Sequence, residues 1–195
     1  MARAFGWQPK GRGFESPQLH TLWVVAQAGE HLHNPVTGEQ LVFRHTAADT
    51  GGELLEFDWC FPAGGSVPLH VHGRQEERFQ VLHGQARFRV AGLRLSAGAG
   101  EEVAVPPGAV HGWGNAGEDE LWARIQFRPA LRTEQLFDAL FALVRDGGVD
   151  RKGRPRPLRL AMLLHEFREE MQVPWVPAPV QSGLLKLLAA RGLKT

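Results

Sequence analysis

The chain has 195 residues, 43 % of them apolar, and its 22 basic and 21 acidic side chains leave a formal net charge of +1. That length and composition allow a real core in one domain, or in one domain with an appendage, and the near-balance of charge excludes a general polyanion binder such as a nucleic-acid protein. The single cysteine, Cys60, excludes an intrachain disulfide; flanked by Trp59 and Phe61 in an expected strand, it reads as a buried structural thiol suited to a reducing compartment.

Residues 1–20 are rich in glycine, proline and charge without periodicity, and are expected to form a flexible tail. They lack the apolar run of about 7 to 15 residues that a secretory signal needs. No later segment reaches the roughly 18 uninterrupted apolar residues of a membrane span. A cytoplasmic protein without membrane contact is the expectation.

Over residues 21–130 the texture is β. Short apolar runs (TLWVV, QLVFRH, ELLEFDWCF, ERFQVL, ARFRV, EVAV, ELWARIQF) are separated by glycine, proline or Asn/Asp turns, as in a sandwich or barrel. Alternation predicts that Leu55, Phe57, Trp59 and Phe61 share the inward face of one strand, with Glu56, Asp58 and Cys60 opposite. Leu121, Ala123, Ile125 and Phe127 repeat the pattern, with Trp122, Arg124, Gln126 and Arg128 opposite.

Residues 131–195 read as a helical extension packed on the barrel or on a dimer partner. Leu136, Phe137, Leu140, Phe141 and Val144 recur at helical spacing; Thr133 is the expected cap, Glu134 suits the positive end and Gly147-Gly148 the stop. A second helix is expected over about 158–171 and a third over about 180–191. The basic run with Arg151, Lys152, Arg154, Arg156 and Arg159 reads as a solvated loop, and SGLLKLLAARGLK as a short helix docked on its own domain.

The chemistry concentrates in PLHVHGRQEERFQVLHG, residues 68–84. His70 and His72, two apart in a strand, share a face and can grip one ion. After the turn at Gly73-Arg74, the phase of Glu77, Phe79 and Val81 points Glu77 inward and Glu76 outward. His111 follows the turn PPG at the start of another strand, with Trp113 and Asn115 on its side. Three neutral imidazoles and a carboxylate would hold a divalent cation with two positions of an octahedron left open. His31 and His33 repeat the H-x-H spacing amid glycine, asparagine and proline, and read as surface residues. His83 is expected to be exposed, and His165-Glu166 lacks the second histidine of a zinc-protease helix.

Gly64, His70-x-His72, Glu77 and Gly84, at intervals of five, four and six residues, resemble the first motif of the cupins. Gly100, Pro106-x-Gly108, His111 and Asn115, at intervals of five, two and three, resemble the second. The resemblance extends over about 22–128. It implies a small antiparallel jelly-roll β-barrel in which His70, His72, Glu77 and His111 converge on one divalent transition metal (Fe, Mn, Ni, Zn or Cu), and it implies a homodimer. At the ligand level the chain resembles quercetin dioxygenase-like cupins.

Three functional classes follow. The first is a metal-dependent dioxygenase acting on a small enol, phenol or diketone, with Glu77 as ligand and proton acceptor and with Phe57, Trp59, Phe61, Phe79, Trp113 and Gln126 as candidate substrate-binding walls. The second is a non-redox isomerase, epimerase or lyase for a sugar or keto acid, for which inward polar groups such as Gln126, Arg87 or Arg124 would be needed. The third is a binding or sensing protein without turnover. No G-x-S-x-G, phosphate-cradling loop or dinucleotide fingerprint is present.

Overall fold

A computed structural model describes residues 26–174. The expected tail 1–20, the run TLWVV and the third helix over 180–191 lie outside the described residues. Ten strands come first: β1 (His31–His33), β2 (Gln40–His45), β3 (Leu55–Phe61), β4 (Ser66–His70), β5 (Glu76–His83), β6 (Gln85–Val90), β7 (Leu93–Gly98), β8 (Glu102–Val105), β9 (His111–Asn115) and β10 (Leu121–Arg128). Two helices follow, α1 (Thr133–Arg145) and α2 (Pro157–Glu166).

The strands form two antiparallel sheets, one of six strands in the order β1-β2-β3-β10-β5-β8 and one of four in the order β4-β9-β6-β7. Among the described residues no ladder joins the edge strands of one sheet to those of the other. The expected closed barrel is therefore a two-sheet jelly roll. The sheets face each other through aromatic rings: Phe79 of β5 meets Phe88 of β6 at 5.1 Å between centroids, and Trp59 of β3 meets Trp113 of β9 at 5.8 Å.

Strand alternation sets this core. In β10, Leu121, Ala123, Ile125 and Phe127 are buried while Trp122, Arg124 and Gln126 are half-buried and Arg128 exposed. In β3 the inward set is buried as expected, Cys60 opposite is the buried thiol expected, and Asp58 on that same face is buried too. Burial, reinforced by Glu120, pushes the Cys60 thiol up to about 12. β9 is buried along its whole length because Gly112 and Gly114 let β4 approach: a Cβ on Gly114 would stand 2.7 Å from the carbonyl oxygen of Gly65.

Helix α1 docks on the open side of this core through Phe137, whose ring lies 4.8 Å from Phe57 and 5.2 Å from Trp59. Thr133 does not cap it. It is the first helical residue, and its hydroxyl accepts a hydrogen bond from Gln75 Nε2, which also donates to the carbonyls of Pro129 and Ala130. Glu134 does lie in the first turn, where its carboxylate accepts the Ala47 amide, and Gly147 follows the helix end with a φ of 67°. Helix α2 stops at Glu166, short of the expected end near 171, and packs on α1 through Leu163, Leu136 and the following Phe167. Arg151, Lys152, Arg154, Arg156 and Arg159 are exposed. No helix among the described residues is long and apolar enough to cross a membrane.

Candidate metal centre

Four side chains from three stretches of chain meet between the sheets. His70 ends β4, His72 follows it beyond the strand, Glu77 is the second residue of β5, and His111 opens β9. All four are buried, and one ligand atom from each lies within 4.8 Å of the others. Glu77 Oε2 accepts from His111 Nε2 at 2.6 Å and stands 3.5 Å from His72 Nε2. The competing Glu76 faces outward and pairs with Arg78 at 2.5 Å.

The backbone fixes which nitrogen of each ring faces the centre. Nδ1 of His70 donates to the carbonyl of Pro68 at 2.8 Å, and Nδ1 of His111 donates to that of Ala109 at 2.9 Å. Each carbonyl lies two residues before its histidine, delivered in one case by the irregular register around Pro68 and in the other by the PPG turn, where Gly108 has a φ of 80°. His72 departs from this pattern. Its Nδ1 donates at 2.5 Å to the carbonyl of Glu170, 98 residues later. With the proton held on Nδ1, Nε2 of His70 and of His72 presents its lone pair inward, while Nε2 of His111 shares a proton with Glu77 that a cation would displace.

Electrostatics agree with neutral imidazoles at two positions. Burial lowers both His70 and His72 to about 4. For His111 burial works in the same direction, but the hydrogen bond and charge of Glu77 outweigh it and raise its pKa above the ordinary value. His72 Nε2 is buried without any hydrogen-bond partner, a costly state for a polar atom and one that a cation relieves. Donors held about 2.1 Å from one first-row ion stand at most about 4.2 Å apart, so the observed spread closes with side-chain adjustments of a few tenths of an ångström. Three imidazoles and a carboxylate thus fit a divalent transition ion, and the shell does not choose among Fe, Mn, Ni, Zn and Cu.

A cavity of about 560 Å³ opens from His70, His72 and Glu77. The jelly roll contributes Trp59, Val67, Trp113 and Phe127 to its wall. The helical segment contributes Leu136, Phe137, Leu140, Leu160, Leu164 and Met171. Apart from the ligands, Thr133 and the indole N–H groups, the lining side chains among the described residues are apolar, and no lysine or arginine is among them.

Of the residues expected to form substrate walls, Trp59 and Trp113 line this cavity. Phe57, Phe61 and Phe79 do not: their rings are 0 to 1 % exposed, spent on packing between the sheets. Gln126 faces away from the centre and donates to Glu56 at 2.6 Å on the outer side of the six-stranded sheet. Arg124 is on that side as well, paired with Asp58, and Arg87 binds the carbonyl of Asn115. His31, His33 and His83 are exposed. The packing of the helical segment on the sheets is one of the two alternatives that its apolar stripe left open, but its share in the cavity wall was not read from the sequence, and nothing there signals the Glu170 carbonyl.

Residues 57–122 match the family model for the cupin domain. No curated protein matches the chain. Solved structures similar to it include a predicted oxalate decarboxylase from Thermotoga maritima, with 22 % identity over 55 % of this chain and 99 % of that one and a TM-score of 0.46. KdgF from Halomonas sp. has 20 % identity over 56 % of this chain and 94 % of its own, with a TM-score of 0.45. An RmlC-like cupin from Shewanella frigidimarina has 19 % identity over 58 % and 96 %, with a TM-score of 0.46.

Proposed function

We propose that this chain, with a cupin domain over residues 57–122 as the premise, is a metal-dependent dioxygenase for a small, largely apolar substrate bearing an enol, phenol or diketone oxygen. The observation that carries the reading is a cavity whose described lining is largely apolar and ends on His70, His72 and Glu77, three of the four clustered ligand side chains. His70, His72, Glu77 and His111 would hold the ion, which when bound supplies Lewis acidity and one-electron redox capacity at that end.

The remaining work falls to the chain's own groups. Trp59, Phe127, Leu136 and Leu160 would hold the substrate's hydrocarbon body and exclude water. Glu77 is the one carboxylate among the described lining residues, so its Oε2 is the atom to take the enol or phenol proton. Both atoms of O2 then enter the substrate, whose own oxidation supplies the electrons, and no outside reductant is consumed. A sugar or sugar phosphate would meet no cationic or amide side chain among the described lining residues and would strand its hydroxyls against hydrocarbon.

The test is oxygen uptake by iron-loaded protein offered flavonols, β-diketones and catechols, with bound metal measured in parallel. One class should consume O2 and substrate one for one. Glu77→Gln should slow that turnover by about 10²- to 10⁴-fold, and His72→Ala or His111→Ala should empty the site while leaving a folded β core. Metal-loaded protein that is silent across the panel overturns the reaction class, and unchanged metal content in both histidine variants overturns the ligand assignment.

A further inference from the structure

The stretch from Phe167 to Gln172, beyond α2, touches the metal centre in a way that nothing in the cupin motifs anticipates. Strand β4 ends at His70, which leaves Val71, the residue between the two histidines, without a neighbour in its own sheet. Gln172 supplies one: its amide donates to Val71 at 2.9 Å and its carbonyl accepts the Val71 amide at 3.0 Å. Two residues earlier, the Glu170 carbonyl receives His72 Nδ1. The residues that alternate with these, Met171 and Val173, line the cavity.

Arg132, just ahead of α1, secures the strap. Its guanidinium reaches the Glu166 carboxylate at 2.9 Å, the Glu166 carbonyl at 2.7 Å and Glu170 Oε1 at 3.4 Å, and it lies 5.0 Å above the Phe167 ring. The Glu170 side chain is only 2 % exposed, and its Oε2 has no hydrogen-bond partner. Loss of the Arg132 guanidinium would leave that carboxylate buried without a counter-ion, held only by the residue-132 amide at 3.3 Å, which favours release of the strap.

We infer that Arg132 and Glu170 are positioning residues for the metal centre: by pinning the strap they hold the carbonyl that aims His72, so strap docking and metal binding strengthen each other. The inference rests on the metal reading above, but not on the reaction class. Reciprocity follows from linkage, because whatever factor the docked strap adds to metal affinity, bound metal must add to strap docking. Groups that orient metal-bound histidines alter affinity by about 10- to 100-fold, and that range is the expected coupling.

The experiment is hydrogen exchange at the Val71 and Gln172 amides of the full chain with and without Co(II), read against the β6–β7 hairpin as internal reference. Wild-type protein should exchange at these amides about 10- to 100-fold more slowly when loaded. Arg132→Ala should speed exchange at both amides, and Gln172→Pro, which has no amide of its own, should speed it at Val71; both should weaken Co(II) binding by a similar factor and shift the Co(II) visible spectrum. Arg132→Lys, which restores a cation, and the double variant Arg132→Ala/Glu170→Gln, which removes the stranded charge, should recover affinity and spectrum in part. Metal bound by wild-type protein without added protection of the strap overturns the inference alone, as does wild-type affinity in a variant whose strap has opened. Failure of wild-type protein to take up Co(II), read by elemental analysis, overturns it together with the proposed function.

Discussion

Asp58 sits on the face of β3 that alternation assigns to solvent, yet it is 2 % exposed. It remains ionised there because Arg44 and Arg124 bracket it, with Nε atoms at 2.7 and 2.8 Å. Burial alone would raise its pKa, but the hydrogen bonds and charges of the two guanidinium groups win and hold it below the ordinary value of 3.8. A carboxyl whose folded-state pKa lies below its unfolded one stabilises the fold fully above the unfolded value, and that contribution disappears as pH falls through the folded value. Asp58→Asn should therefore cost about 1.5–3 kcal/mol at pH 7, the range for hydrogen bonds to charged groups. The gap to wild type should narrow once the pH drops below about 4. Urea unfolding of both proteins at pH 7 and pH 3 measures it; a gap that is the same at both pH values would show that the pair contributes nothing through charge.

The hairpin from β5 to β6 turns on Gly84, which adopts a φ of +83° and passes so close to the start of β10 that a Cβ would stand 2.6 Å from the Glu120 carbonyl oxygen. Both the backbone conformation and the contact exclude a side chain. Gly84→Ala should lower stability by about 1–3 kcal/mol, with a measured shift in urea midpoint and little change in metal content, because Glu77 enters β5 from the opposite end. An alanine variant with wild-type stability would mean that β10 yields at no cost. This is also the scale at which the sequence was most readable. Strand parity and turn glycines are local signals, and they suffice to orient His70, Glu77 and His111. Two local readings failed for one reason, competition from a distant partner: Thr133 gives its hydroxyl to Gln75 instead of capping α1, and the β3 face around Asp58 is buried by arginines from β2 and β10. The Glu170 carbonyl was invisible because a backbone oxygen leaves no mark in the residue type that carries it.

At the scale of the molecule, the two sheets supply a candidate metal centre with an open side, and α1, α2 and the strap turn that opening into a walled cavity. The helical periodicity of Leu136, Phe137 and Leu140 declares an apolar face, but periodicity carries no information about what the face covers. In the structure it covers two things at once: Phe137 packs into the aromatic core, while Leu136 and Leu140 join Leu160, Ala161 and Leu164 of α2 around the cavity. Ala161 is the small residue on the α2 side of that wall, so size at this position should set how much of the cavity a substrate can use. Ala161→Trp would project an indole into a space of about 560 Å³ without touching any of the four ligand side chains. Metal content should stay at the wild-type level, and thermal stability should rise by about 0.5–2 kcal/mol, as cavity filling commonly gives. Binding of the bulkier substrates should weaken by at least about tenfold, a cost of about 1.4 kcal/mol, while the smallest diketones keep their affinity. Titration calorimetry of the loaded protein with a size series of ligands reads this directly. Equal weakening for every size would place the substrate elsewhere than against α2, and a loss of metal would mean that the helices and the ion site are coupled through more than the strap.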